Sequence, residues 1–151
     1  MPASPSRIGM TTATTTEPRY LLLLGSNSSP ERKLDLAVAG LRRRFEGLQL
    51  SQREQSRARE GGDAPDYVNQ AALIRSELAP AALKLALREL EKDLGRRRPS
   101  PDPLLCPIDI DLIAQIEPRP VAFAPEDLAD PVARRLCGEL IGDLLPVLRG
   151  L

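Results

Sequence analysis

Apolar residues recur along the chain at two spacings, and these spacings predict strands and helices. Residues 20–24 form a short apolar run followed by glycine, which is typical of a central strand buried on both faces. From residue 34 to residue 45, apolar side chains recur every three or four positions, which predicts a helix with one apolar face. We expect this helix to begin at Ser28, three residues before Glu31 as in a capping box, and to end at Gly47.

The following segments predict two more strands and a second helix. Residues 48–56 alternate weakly and predict an edge strand, and residues 67–76 predict a better-defined strand. A helix begins near Pro80, with leucines every three or four positions up to Leu94. Gly95 then stands where a glycine commonly follows a helix end.

The last well-patterned strand is Ile108-Asp109-Ile110-Asp111-Leu112. Successive side chains of a strand point to opposite faces, so Asp109 and Asp111 share one face. Paired carboxylates hold hard cations such as Mg²⁺, with substrate phosphates and water completing the coordination. The alternative is a solvated acidic face without a ligand.

This order of elements, strand-helix-strand-strand-helix-strand, predicts an α+β fold of the ferredoxin-like βαββαβ type. We expect a sheet of four mostly antiparallel strands with both helices on one face, which leaves the other face for loops and ligand. Beyond Gln115, several prolines favour loop structure, and a helix is expected from about Val132 to Leu145.

Length and composition narrow the class of protein. Residues 1–18 are rich in Pro, Ser and Thr and predict a disordered tail, and residues 19–151 are expected to form a single domain. The net charge is zero, which disfavours nucleic acid as a partner. Because no run is apolar enough to be a membrane span or a secretory signal, we expect a cytoplasmic protein with no membrane contact.

Two further residue counts limit the chemistry. Two cysteines, Cys106 and Cys137, are too few for a disulfide framework or a zinc site. The absence of histidine excludes imidazole acid–base catalysis. A cluster of arginines, Arg96–Arg98, instead follows the second helix, and guanidinium groups bind phosphate oxygens in bidentate fashion. Carboxylates for a metal and arginines for phosphate together predict a site for phosphoryl-type transfer.

Four short motifs in register resemble those of the 6-hydroxymethyl-7,8-dihydropterin pyrophosphokinase family, an enzyme family of folate synthesis. The resemblance covers about residues 19 to 116 and implies a ferredoxin-like fold, with transfer of a pyrophosphoryl group from ATP to the pterin and release of AMP. The motifs are Leu24-Gly25-Ser26-Asn27, Asp66-Tyr67-Val68-Asn69, Leu90-Glu91-Lys92-Asp93-Leu94-Gly95-Arg96 and Ile108-Asp109-Ile110-Asp111-Leu112.

The resemblance implies a role for residues on the metal and pterin side. Asp109 and Asp111 would be catalytic and hold the Mg²⁺ ions that bridge ATP and its acceptor. Tyr67 would stack on the pterin, Asn69 would hydrogen-bond it, and Ser56 stands where a pterin-binding threonine is usual. The structural alternatives are a core aromatic for Tyr67 and a strand-edge hydrogen bonder for Asn69.

The resemblance also implies a set of ATP contacts. Arg96 and Arg98 match positions that contact ATP, and Glu91 matches a helix carboxylate near the nucleotide. Arg134 or Arg135 stands in for an arginine that the family carries after the last strand. The structural alternative is that Glu91 and the arginines are solvated surface charges.

The chain departs from the family pattern at several positions. Cys106 replaces an arginine, Pro103 lies near the place of a tryptophan, and Asp130 precedes a proline where the family has a Pro-His segment. Two main hypotheses follow: an active, divergent pyrophosphokinase, and a degenerate homologue that binds a pterin, a nucleotide or a protein partner without turnover. Transfer to a different acceptor is a third. Whether the protein is a monomer or a homodimer is open.

Overall fold

Five antiparallel strands form one sheet in the computed structural model, which describes residues 17–58 and 61–149. The α+β class and the antiparallel pairing are confirmed, but the prediction of four strands is wrong. A fifth strand of two residues pairs with Ala114 and Gln115 and extends the sheet by one position. The strands are β1 (Arg19–Ser26), β2 (Glu46–Ser56), β3 (Tyr67–Arg75), β4 (Asp109–Glu117) and β5 (Val121–Ala122), in the spatial order β2-β3-β1-β4-β5.

Within the described residues, four α-helices and one short 3-10 helix connect or follow these strands. In chain order, α1 follows β1 and α2 follows β3, as the apolar spacing predicted. The other helices come after β5. The bounds are α1 (Pro30–Arg44), α2 (Pro80–Asp93), the 3-10 helix (Pro125–Ala129), α3 (Pro131–Ile141) and α4 (Leu145–Leu148).

The predicted ends of α1 are corrected by one to three residues. Ser29, with φ 50°, is the residue before the first helical turn, and it makes no side-chain capping bond. Ser28 lies outside the helix, and its backbone nitrogen donates to the Ser26 hydroxyl. The helix ends at Arg44 rather than near Gly47, because β2 begins at Glu46.

As predicted, α1 and α2 lie on one face of the sheet, but a further helix, α3, covers the other face. One core contains Leu22 and Leu24 of β1 together with the apolar stripes of α1 and α2. A second core contains Leu21 and Leu23 of β1 with Leu136 of α3. The predicted C-terminal helix exists as α3 and α4, and α3 packs against β2 and β3 on the face that was expected to hold only loops and ligand.

The register of the three central strands aligns polar side chains across that second face. Gly25 of β1 lies opposite Asn69 of β3 on one side and opposite Asp109 of β4 on the other. Leu23 lies opposite Asp111 in the same way. Residues directly opposite in antiparallel strands share a face, so Asn69, Asp109 and Asp111 belong to one surface.

Most of the predicted N-terminal tail, residues 1–16, lies outside the described residues. Within the part of the chain that is described, we find no helix of the length and apolar character needed to cross a membrane.

Candidate active site

A cleft of about 510 Å³ lies on the second face of the sheet, next to the N-terminal end of α3. Its floor is formed by β1, β3 and β4, and its walls come from the two loops before Tyr67 and before Asp109. Seven of the nine predicted site residues line it: Ser56, Tyr67, Asn69, Arg96, Arg98, Asp109 and Asp111.

The two aspartates lie side by side on β4, with Ile110 between them pointing into the opposite core. Burial, and next the negative charge of Asp109, raise the pKa of Asp111 to about 8. Two carboxylates this close in a partly buried place repel each other when both are ionised. A bound cation would remove this repulsion.

This pair fits a Mg²⁺ site. Its donors are oxygen atoms only, and their closeness favours a cation between them. Within residues 17–58 and 61–149, no group of three or more Asp, Glu, Cys or His side chains could enclose a metal ion. A carboxylate pair of this kind would supply two ligands and leave the other positions to phosphate and water, as is usual for Mg²⁺.

Arg96 connects the arginine loop to the aspartates. Gly95, with φ 103°, ends α2 and turns the chain toward the cleft. The Arg96 Nη1 atom donates to Asp109 Oδ1 at 3.2 Å and to the Ile108 carbonyl at 3.0 Å. The guanidinium is thus fixed beside the aspartate pair.

Glu91 lies behind the cleft rather than in it. Its side chain is 4% exposed, its Oε1 accepts from Arg98 Nη2 at 3.1 Å, and its Oε2 accepts from the Ile110 backbone nitrogen at 2.7 Å. Arg96 Nη1 lies 3.9 Å from the same Oε2. Burial is the main cause that raises the pKa of Glu91. The carboxylate therefore holds both arginines and the strand segment between the two aspartates.

Tyr67, Asn69 and Ser56 form the other end of the cleft. Asn69 Nδ2 donates to the Glu54 carbonyl at 3.0 Å and to Ser56 Oγ at 2.9 Å. These bonds fix the plane of the amide on the cleft floor. A methyl group on Gly25 would lie 3.3 Å from Asn69 Oδ1 and 3.5 Å from Tyr67 Cδ2, so the glycine leaves room for both side chains.

Arg134 is not brought to the cleft. It lines a separate cavity of about 430 Å³ beside α3, and its Nε donates to the Leu128 carbonyl. Arg135 lines the same cavity and pairs with Glu54. Asp130, just before α3, does line the cleft, and it also accepts a hydrogen bond from the Val132 backbone nitrogen.

A basic groove that sequence reasoning overlooked adjoins the arginine loop. It has a volume of about 650 Å³ and is lined by Arg88, Glu91 and Lys92 of α2 beside Arg96–Arg98, so its one carboxylate is outnumbered by five basic side chains. Lys84, one turn earlier on α2, lines a smaller neighbouring cavity that reaches Asp111. The sequence does predict a basic helix face here, because Lys84, Arg88 and Lys92 are spaced four residues apart.

The two thiols differ in environment, and this difference predicts their reactivity. Burial raises the pKa of the Cys106 thiol in the cleft, and burial raises that of Cys137 in the second core to about 12. The thiolate is the reactive form. In the folded protein we expect slow alkylation of Cys106 alone, with a rate that keeps rising with pH above the ordinary thiol pKa of about 8.5, and reaction of Cys137 only on unfolding. Mass spectrometry after iodoacetamide treatment measures both sites, and equal rates at the two cysteines would contradict this prediction.

Comparison with known proteins agrees with the motifs. The model of the 7,8-dihydro-6-hydroxymethylpterin-pyrophosphokinase family matches residues 21–133. A separate comparison with curated proteins finds no match. The family match begins in β1, ends in α3 and includes every strand that contributes to the cleft. Because it spans about three quarters of the chain, the chain belongs to the 7,8-dihydro-6-hydroxymethylpterin-pyrophosphokinase family.

Proposed function

We propose that this protein is an enzyme that transfers the pyrophosphoryl group of ATP to the hydroxymethyl oxygen of 6-hydroxymethyl-7,8-dihydropterin, with Mg²⁺, and releases AMP. Membership of the family implies pyrophosphate transfer in folate synthesis. The observation that carries the finer proposal is the cleft itself. It combines a carboxylate pair, arginines and an aromatic-amide pair within one cavity.

The pterin would lie at the end of the cleft that contains Tyr67 and Asn69. A flat, hydrogen-bonding heterocycle is recognised by a ring that stacks on it and by a fixed amide at its edge. Because Asn69 Nδ2 is already engaged by Glu54 and Ser56, we assign pterin recognition to its Oδ1, which accepts from a ring or amino N–H. Ser56 supports this geometry by accepting from Asn69.

The triphosphate would lie along Arg96–Arg98 and the basic groove. Arg96 and Arg98 face both spaces, so one nucleotide can extend from the groove toward the aspartates. Glu91 contributes by holding Arg98 and the Ile110 backbone, since both of its oxygens accept hydrogen bonds within the protein. This support preorganises charge where the phosphates bind.

Asp109 and Asp111 would hold Mg²⁺, which when bound neutralises phosphate charge and brings ATP close to its acceptor. In the reaction, the hydroxymethyl oxygen forms a bond to the β-phosphorus, and the bond from that phosphorus to the α,β-bridging oxygen breaks. The electron pair leaves with AMP, and the hydroxyl proton is released to solvent. The chain supplies position and charge rather than an imidazole base, which phosphoryl transfer permits.

A binding protein without turnover is the second candidate, and Cys106 favours it. This half-buried thiol lines the cleft at the position where the family resemblance implies an arginine. Losing a charged contact to a transferring phosphate typically costs a few kcal/mol. Arg57 and Arg97 also line the cleft, and the enzyme hypothesis requires that they supply this charge.

Several broader predictions accompany the proposal. The strand order β2-β3-β1-β4 and the position of α1 and α2 on one face support a ferredoxin-like arrangement to which β5, α3 and α4 are added. A cytoplasmic protein, with residues 19–151 as one domain and existing as a monomer or homodimer, stays a prediction.

The deciding experiment measures AMP. Purified protein is incubated with Mg²⁺, ATP and 6-hydroxymethyl-7,8-dihydropterin, and the enzyme hypothesis predicts AMP and pterin diphosphate in equal amounts. Omitting the pterin or adding EDTA should stop AMP formation. If no AMP forms while calorimetry detects pterin or nucleotide binding, the second candidate is correct.

Substituting Gly25 by alanine should weaken pterin binding. The added methyl group would crowd Asn69 Oδ1 and the Tyr67 ring, which displaces the recognition groups by a few tenths of an ångström. We expect a roughly tenfold higher Kd for the pterin, about 1.4 kcal/mol, in calorimetry. Gly138→Ala in α3 is the matched control, because a methyl group there meets nothing within 4 Å. Equal pterin affinity in both variants would contradict the assignment.

A further inference from the structure

The loop motif Gly25-Ser26-Asn27 contributes a buried amide whose role the proposed chemistry does not include. Asn27 is 4% exposed and directly follows β1. Its Oδ1 accepts from the Cys106 backbone nitrogen at 2.6 Å, and its Nδ2 donates to the Leu104 carbonyl at 2.8 Å and to the Pro65 carbonyl at 3.3 Å. Its own backbone nitrogen donates to the Cys106 carbonyl at 3.1 Å.

These partners lie on the two loops that form the walls of the cleft. Pro65 is two residues before Tyr67 at the start of β3, whereas Leu104 and Cys106 precede Asp109 at the start of β4. The two loops are far apart in sequence, and a single side chain joins both to the end of β1. The neighbouring Ser26 hydroxyl lies 3.5 Å from the Cys106 carbonyl and adds to the same junction.

We propose that Asn27 is a positioning residue that holds the two walls of the cleft together and so sets the distance between the pterin end and the metal end. One amide satisfies backbone groups on both loops, and buried backbone groups left without partners are costly. Its loss should therefore let the loops separate while the two hydrophobic cores, which lie on the faces of the sheet, stay packed. The catalytic part of this inference rests on the proposed function, but the junction itself does not.

Gln70 provides a matched control for a buried amide elsewhere. It is 6% exposed, its Oε1 accepts from Arg53, and its Nε2 donates to the Ser51 carbonyl. It connects β3 to β2 and does not line the cleft. Comparing Asn27→Ala with Gln70→Ala therefore separates loosening of the cleft from general loss of a buried amide.

The first test uses the native cysteines as reporters and needs no activity. Cys106 is bonded to Asn27 through both its backbone groups, and Cys137 is buried in the second core. In Asn27→Ala, alkylation of Cys106 should accelerate by roughly tenfold or more, with Cys137 unchanged. In Gln70→Ala, Cys106 should react at the wild-type rate. Equal acceleration at both cysteines, or none at Cys106, would overturn the proposal.

A second variant covers the case in which Asn27→Ala does not fold. Asn27→Asp keeps an oxygen for the Cys106 backbone nitrogen but replaces the Nδ2 donor with a second carboxylate oxygen. That oxygen would face the carbonyl oxygens of Leu104 and Pro65 and repel them. We expect the same selective acceleration at Cys106, smaller than in Asn27→Ala. Wild-type alkylation in Asn27→Asp would contradict a junction that depends on the Nδ2 donor.

The second test concerns catalysis. Asn27→Ala should raise the KM for the pterin and lower kcat, each by roughly tenfold, because the two ends of the cleft lose their fixed separation. Gln70→Ala should leave both constants near wild type. If the wild-type protein makes no AMP, the proposed function fails, and the alkylation rates still decide whether Asn27 joins the loops. If AMP forms and Asn27→Ala leaves both constants unchanged, the positioning role is wrong.

Discussion

Replacing Asp109 and Asp111 together by asparagine should reduce AMP release by at least roughly a thousandfold, about 4 kcal/mol of transition-state stabilisation. The change keeps the shape of both side chains but removes the charges that hold Mg²⁺ beside the phosphates. Neutral amide oxygens are much weaker ligands for a hard cation. Mg²⁺ binding by calorimetry, in the presence of a non-hydrolysable ATP analogue, should disappear together with the rate.

The same variant should fold at least as well as the wild type when no metal is present. Asp109 raises the pKa of Asp111 in the metal-free protein, which means that the two negative charges oppose one another there. Above about pH 8, where both carboxyl groups are ionised, removing them relieves this repulsion, and asparagine at position 109 keeps an oxygen that accepts from Arg96. The melting temperature without Mg²⁺ should therefore be equal or higher at that pH. Loss of activity accompanied by a lower melting temperature would instead indicate damage to β4.

Asp93→Asn is the control for this pair. Its side chain is 59% exposed, and it pairs with Arg44 of α1 on the face of the sheet opposite the cleft. An exposed ion pair of this kind contributes little stability, so both AMP release and Mg²⁺ binding should stay at the wild-type level. If Asp93→Asn and the double variant lowered the rate equally, the assignment of the metal site to β4 would be wrong.

The strands that form the cleft floor were predictable because their patterns are local. Alternation along Ile108–Leu112 assigns Asp109 and Asp111 to one face by geometry alone, and the structure keeps that alternation against a helical core. The apolar spacing of α1 and α2 likewise predicts their buried stripes. Such signals need no knowledge of distant residues.

Features that depend on distant residues were missed or misjudged. A two-residue strand such as Val121–Ala122 has no periodicity, and it exists only because β4 offers an edge for pairing. The helix α3 covers its face of the sheet because Leu136 and Cys137 pack in one core with residues of β1 and β3. No local sequence pattern predicts this packing. Asn27 stood in a recognised motif, but its partners lie 38 and 77 to 79 residues away.

Glu91 illustrates how burial changes the interpretation of a candidate residue. The resemblance implied a carboxylate near the nucleotide, and helix periodicity alone does not distinguish that from a solvated charge. In the structure its side chain is 4% exposed and engages Arg98 and the Ile110 nitrogen. A buried carboxylate is retained where it organises other charges, and here these are the arginines of the ATP side.

Glu91→Gln should therefore impair the use of ATP much more than it impairs folding. Glutamine keeps an oxygen for the Ile110 nitrogen but no longer attracts Arg98 or Arg96. Burial disfavours the charged form of Glu91, as its raised pKa indicates, and Arg98 is 53% exposed and can be solvated instead. We expect kcat/KM for ATP to fall roughly a hundredfold, about 2.7 kcal/mol, with a nearly unchanged free energy of unfolding.

Two companion variants test which function of the carboxylate matters. Glu91→Leu also removes the acceptor for the Ile110 nitrogen, so it should lose a further 1–3 kcal/mol or so of folding stability in urea denaturation. Glu89→Gln, an exposed neighbour on α2, should match the wild type in both measurements. If Glu91→Gln kept full kcat/KM for ATP, Arg96 and Arg98 would not depend on Glu91 for their position, and the carboxylate would serve the packing of α2 on β4 alone.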